Sequence, residues 1–208
     1  MTLNPVLISN FSKTALGSQQ FEELAHIDPE NPPPPYDENW LQDLIHKNPA
    51  LVPANKIEAA FDSLIPVARE LSLPHGFLDN FFITPDGYPV LVEVKLIKNQ
   101  EARRKVIAQI LEYANDFSRL SYEDLNHRLR PVLSKEEAFG DNPLYEIVSR
   151  STSGCLGEAE FVDNVSRHMR EGRFMLLILG DCINADMATL AKLVDQHHTL
   201  RYTLGIVQ

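Results

Sequence analysis

What this sequence has little of narrows the field first. It has two cysteines, Cys155 and Cys182, and neither sits in a CxxC or Cys/His spacing. That fits reduced thiols in a cytosolic protein rather than a disulfide framework or a zinc site. No apolar run reaches the roughly 18–20 residues a membrane helix needs, and the N-terminus lacks the basic start and apolar core of a secretory signal. A cytoplasmic protein with no membrane partner is expected. Basic charge is also short: the net charge is −10, which argues against gripping nucleic acid mainly through a broad basic face. A carboxylate cluster with a local basic patch remains compatible with that balance. There is no phosphate-cradling glycine loop, no Ser or Cys nucleophile motif and no internal repeat. The His197-His198 pair has no third ligand nearby in sequence, and Asp181 reads as a helix N-cap.

What is present fits one sizeable domain with a small appendage, given 208 residues. Residues 1–36 read as an N-terminal arm or small cap, with "NPVLIS" as a short strand and "NPPPPY" as a stiff Pro-rich spacer. In "YDENWLQDLIHKNPALVP", Trp40, Leu41, Leu44 and Ile45 recur at helical spacing, Asp37 is a plausible N-cap, and Asn48-Pro49 ends the helix. "LIPVARELSL" and two runs flanking "PDG" predict three strands. A helix from Glu101 to about Leu120 follows, with Val106, Ile110, Tyr113, Ala114 and Phe117 on one stripe and Arg104, Ala108, Glu112 and Asp116 on the other side. Residues 121–172 read as a helical insert. "RFMLLILGD" has the continuous apolar character of a strand buried on both faces, "NADMATLAKLVDQHH" predicts a helix, and "RYTLGIVQ" predicts a strand, together a right-handed parallel crossover. The expected order is α-β-β-β-α, the insert, then β-α-β: a mixed sheet with helices packed on it. The chain stops inside this last apolar run, so 37–208 reads as a domain truncated at its C-terminus.

The hairpin "LDNFFITPDGYPVLVEVKLIKN" carries charges among apolar residues. A three-residue Pro85-Asp86-Gly87 loop would pair Thr84 with Tyr88. Counting back, Asp79 then lies opposite Glu93 and shares a face with Lys95 and with Phe77, Phe81, Ile83, Leu91 and Ile97. The opposite face, Val90, Val92, Val94 and Leu96, is core. Two close carboxylates on an apolar face cost several kcal/mol unless a cation or hydrogen bonds compensate. Two carboxylates with open positions suit Mg²⁺ or Mn²⁺ better than Zn²⁺. From spacing alone, a solvent-facing salt-bridge cluster fits the trio as well. Asp86, in the literal "PD", sits at the turn tip and should face solvent. Gln109 lies within the apolar stripe of its helix and needs a partner there, with Tyr113 one turn on.

Asp79, the Glu93-Val94-Lys95 triplet and the "QILEY" that supplies Gln109 and Tyr113 resemble the PD-(D/E)XK nuclease superfamily. Its pattern is an Asp at a strand start, a hairpin, (D/E)xK on the next strand and then a helix with QxxxY. The stretch from Gly76 to Ala114 looks like a group of uncharacterised bacterial members. One departure is Leu78 where the motif has Pro. The resemblance covers about residues 37–120 and implies an α/β restriction-endonuclease-like fold with Mg²⁺- or Mn²⁺-dependent phosphodiester hydrolysis of nucleic acid. It implies Asp79, Glu93 and the Val94 carbonyl as metal ligands, Glu38 completing the site, Lys95 orienting or deprotonating the attacking water or stabilising the pentacoordinate charge, and Gln109 and Tyr113 leaning over the carboxylates. Lys98, Arg103, Arg104 and Lys105 form the most basic local stretch, which fits phosphate contacts near the site and a solvated helix surface equally. The expected partner is nucleic acid, DNA first, and a homodimer is compatible. The alternative is a nuclease-like module that binds nucleic acid or a protein without cutting.

Overall fold

The computed structural model describes residues 6–8, 21–23, 37–96, 100–133, 138–180 and 202–207. In the N-terminal region, β1 (Val6–Ile8) pairs antiparallel with β2 (Phe21–Glu23). Then α1 (Glu38–Lys47) begins where expected: the Asp37 carboxylate accepts from the Trp40 N–H at 2.7 Å. It ends at Asn48, whose backbone and side-chain N–H groups both close on the Leu44 carbonyl, and Pro49 opens a 3₁₀ turn. The short α2 (Ala54–Ile57) leads into β3 (Ile65–Leu73), β4 (Gly76–Ile83) and β5 (Pro89–Lys95). After them come α3 (Gln100–Arg119), α4 (Tyr122–Leu129), α5 (Pro143–Ser151) and α6 (Glu158–Glu171), then β6 (Met175–Gly180) and β7 (Thr203–Val207).

The large sheet has the order β3-β4-β5-β6-β7. Its first two pairings are antiparallel and its last two parallel. The chain is therefore α/β, with a five-stranded mixed sheet flanked by helices. One face packs against α3 to α6 through Phe81, Leu91, Ile110, Phe117, Phe161 and Leu176. The other face, with Phe82, Val90, Val92 and Val94, packs against Ile45 of α1 and the Val52–Phe61 region. Covering on both sides explains why β6 is buried at every position. The β6–β7 pairing has the expected parallel direction. The helix expected between them, with Asp181, Cys182, His197 and His198, lies outside the described residues. So do Ile97, Lys98, the Pro-rich spacer, and the side chains of Arg103 and Arg104.

The hairpin register is the one the turn chemistry predicts. Thr84 and Tyr88 bond across the loop (Thr84 N–H to Tyr88 O, 3.0 Å), and Gly87 takes φ +81°. The ladder runs Ile83↔Pro89 through Asn80↔Val92. Asp86 is exposed. The tip is docked on α6: Asn164 Nδ2 donates to the Asp86 carbonyl at 3.3 Å, His168 Nδ1 donates to the Gly87 carbonyl at 2.8 Å, and the Tyr88 and His168 rings stack.

Two details depart from simple alternation. Leu78 joins the same core cluster as Phe81, three residues on, and its partner Leu71 joins Ala68 in that cluster. The pleat therefore slips at Arg69–Glu70 and Asp79–Asn80. The cause is visible in β3, where Glu70 adopts φ +52°, a conformation that β-carbon residues rarely take. Phe77, expected on the apolar face, is consequently 58 % exposed. Asp116, expected on the outer side of α3, is buried. Its carboxylate accepts from the His75 backbone N–H at 3.1 Å and from the His75 ring at 2.8 Å, so the β3–β4 turn compensates its burial.

Candidate active site

The slip places the charged residues. Beyond Asn80↔Val92, the next hydrogen-bonded backbone pair of the register would be Leu78 with Val94. Instead the Val94 N–H donates to Asp79 Oδ2 at 2.7 Å. The Asp79 side chain thus takes an amide bond where β4 and β5 separate. Arg69↔Asn80 and Leu71↔Leu78 bracket Glu70 beside Asp79.

Asp79 and Glu93 are both buried, and Glu93 is only 3 % exposed. Glu93 Oε2 has no hydrogen-bond partner in the protein. Burial raises the Asp79 carboxyl to about 6, with Glu70 and Glu38 adding to it and the Val94 N–H and Lys95 opposing. Burial, then the Asp79 charge, raises Glu93 to about 9, against the pull of Lys95. Without a cation, Glu93 is therefore protonated at neutral pH.

Lys95 stands at the rim, its side chain 34 % exposed, with Nζ 2.8 Å from Glu38 Oε2. Partial burial pulls its ammonium down. The Glu38 hydrogen bond and the charges of Glu38, Glu93 and Asp79 outweigh that and hold it above its ordinary value. The other Glu38 oxygen accepts from the Leu96 N–H at 3.1 Å. Glu38 thus clamps the end of β5 from the first turn of α1, where the helix dipole favours a carboxylate.

Two anchors hold α1 in that place. Arg69 reaches Asp43 Oδ1 at 3.1 Å and Asn39 Oδ1 at 2.6 Å, and buried Asn80 donates to the Gln42 carbonyl at 3.1 Å. Neither residue carries a pattern that reading by periodicity would single out. Glu70 carries no such pattern either, since a strand glutamate gives no signal that its φ is positive.

Gln109 and Tyr113 meet. Gln109 Nε2 donates to Tyr113 Oη at 2.9 Å, and the hydroxyl donates to the Phe77 carbonyl at 3.0 Å. Gly76 makes the approach possible: a β-carbon there would lie 2.6 Å from the hydroxyl oxygen. Burial, with the charges of Glu93 and Asp79 behind it, raises the Tyr113 hydroxyl above its ordinary value. The pair therefore braces the start of β4, two residues before Asp79, within electrostatic reach of both carboxylates. Lys105 is exposed on α3.

The residues present fit a hard divalent cation in part. Among the described residues, no three His, Cys, Asp or Glu side chains converge as a ready metal cage. Mg²⁺ needs none, because it keeps several waters and takes one or two carboxylates. The buried, unpartnered Glu93 oxygen beside Asp79 is the donor chemistry such an ion uses. Among the described residues no helix is long and apolar enough to cross a membrane. Comparison of the chain with protein-family models, curated proteins and solved structures gives no match.

Proposed function

We propose that the chain is a restriction-endonuclease-like, metal-dependent phosphodiesterase of the PD-(D/E)XK type that cuts nucleic acid, with DNA as the first substrate class to test. The observation that carries this reading is the buried Glu93 oxygen without a partner, within electrostatic reach of buried Asp79 and of Lys95. A burial this costly has no structural return in the protein alone. A bound Mg²⁺ or Mn²⁺ would polarise a phosphate oxygen and lower the pKa of water. Asp79 and Glu93 would hold it, with the Val94 carbonyl as a third donor.

The other residues have separate tasks. Partial burial notwithstanding, the Glu38 hydrogen bond keeps the Lys95 ammonium above its ordinary value, which favours charge stabilisation of the phosphorane-like transition state over proton abstraction. Glu38 fixes the direction of the Lys95 ammonium. Gln109 and Tyr113 position the β4 backbone that carries Asp79. In the reaction, a water oxygen would bond to phosphorus as one ester P–O bond breaks, the water giving up a proton to solvent and the leaving oxygen taking one from solvent.

The test is cleavage of single- and double-stranded DNA and RNA with Mg²⁺ or Mn²⁺. Removing a preorganised charge of this kind costs about 10²–10³ in rate, so Glu93→Gln and Lys95→Met should each reduce cutting on that scale. Cutting that both variants retain would refute the assignment. One observation favours a binding module instead: Lys95 already has Glu38 as its ion-pair partner. In that case metal would give no cleavage, and nucleic-acid binding would persist in Glu93→Gln.

A further inference from the structure

A second feature stands near the carboxylates, at the start of β4. Among the described residues, Phe77 is the one large apolar side chain left exposed. A single exposed ring is ordinary on a protein surface, so its placement decides what it means. Leu71, Leu73 and Leu78 face the core beneath α3 to α6. Alternation therefore puts Ser72 and Phe77, a directly opposed pair, on the other face of the sheet. That is the face on which Arg69 and Asn80 hold α1 and from which Glu38 reaches Lys95. Phe77 precedes Asp79 by two residues, about 7 Å along an extended strand.

The backbone beneath the ring is fixed, because the Phe77 carbonyl accepts from the Tyr113 hydroxyl, which Gln109 bonds in turn. Ser72, across from Phe77, is small and exposed, so the cross-strand neighbour leaves the ring uncovered. Cations flank the pair. Arg128 Nη1 donates to the Ser72 carbonyl at 3.0 Å, which sets a guanidinium beside β3 at this point. On the other side of β4 lies β5, with Lys95 at the rim. Glu70, exposed two residues before Ser72, disfavours a phosphate over the sheet face itself. The surface thus offers positive charge to either side of an uncharged aromatic plate. A single nucleic-acid strand meets such a surface by laying phosphates on the cations and a base on the ring.

We infer that Phe77 is a stacking platform for an unpaired nucleobase beside the carboxylate site, so that the chain takes single-stranded nucleic acid in preference to intact duplex. A base inside a duplex is stacked on both faces and reaches a protein ring only by leaving the stack. The inference rests on the phosphodiesterase reading for the class of ligand and deepens it by naming the strand form. The competing occupant is a protein partner that buries the ring; the position two residues from Asp79 favours the nucleobase.

The test measures binding of a fluorescein-labelled DNA single strand, and of its duplex, to the full chain by fluorescence anisotropy, in EDTA and again in Ca²⁺. Tighter binding of the single strand is expected. Phe77→Ala should weaken that binding about 5- to 150-fold, the range for losing one base stack, and bring the ratio of single-strand to duplex affinity toward one. Phe77→Tyr keeps an aromatic face and should bind as wild type does. Phe77→Leu keeps apolar surface without that face and should bind as Phe77→Ala does. Urea midpoints report that each variant is folded, and the Tyr and Leu pair decides the matter if Phe77→Ala is not. Cleavage in Mg²⁺ separates this inference from the reading beneath it. Single-strand binding that depends on Phe77, with no cutting of any substrate, would sink the phosphodiesterase and leave the platform. Cutting by wild type, with single-strand binding unchanged in Phe77→Ala, would do the reverse. No saturable binding of the single strand in either buffer, equal affinity for both forms, or wild-type binding by Phe77→Leu would overturn the inference.

Discussion

Replacing Glu93 by glutamine should make the metal-free protein more stable at neutral pH, and the gain should grow with pH. Glu93 titrates near 4.5 in an unfolded chain and is raised to about 9 in the fold. The sign follows from the direction of the shift. Below 4.5 both states hold the proton, and the group's favourable contribution is fully present. Above it the unfolded chain releases the proton while the folded chain keeps it, so stability falls until the pH passes the folded value. The slope is about 1.4 kcal/mol per pH unit. Between about pH 5 and about pH 7.5, wild type should therefore lose roughly 3 kcal/mol that Glu93→Gln does not lose. Asp79, raised to about 6, adds its own slope to both proteins and cancels in the difference. Urea unfolding followed by circular dichroism in EDTA, across that pH range, measures the difference directly. A stability difference that does not change with pH would refute the reasoning, because it would mean that Glu93 is ionised in the fold.

Further changes test the supports of the site. Asp79→Ala leaves the buried Val94 N–H without its acceptor and should cost about 1–3 kcal/mol, whereas Asp79→Asn, which can still accept, should cost less; urea midpoints compare the two. Tyr113→Phe removes the bonds to the Phe77 carbonyl and Gln109 and should cost about 1 kcal/mol in the same assay. Asp116→Ala strips the buried acceptor of the His75 turn and should cost about 1.5–3 kcal/mol without altering divalent-metal affinity, which a Mn²⁺ titration checks.

Much of the site's placement was legible because it depends on local chemistry. Pro85-Asp86-Gly87 sets a loop type, and the loop sets a register that the ladder keeps from Ile83↔Pro89 to Asn80↔Val92, one position short of Asp79 and Glu93. The run "MLLILG" declares a strand covered on both faces, and it is one. What was not legible depends on tertiary context. The positive φ of Glu70 slips the pleat and moves Phe77 outward, yet glutamate gives no sign of such a conformation. Asp116 reads as a surface residue until the His75 turn folds over it. Arg69 and Asn80 read as ordinary strand polars, although they hold α1, and with it Glu38, against the sheet.

The central claim is that Asp79 and Glu93 hold a divalent cation. Calorimetric titration of the protein with Mn²⁺ near neutral pH, repeated in buffers of different ionisation enthalpy, tests it most directly. A carboxyl held at about 9 must release its proton to bind the ion, so saturable binding should come with release of about one proton, and Glu93→Gln should remove both. No saturable binding, or binding without proton release, would contradict the account.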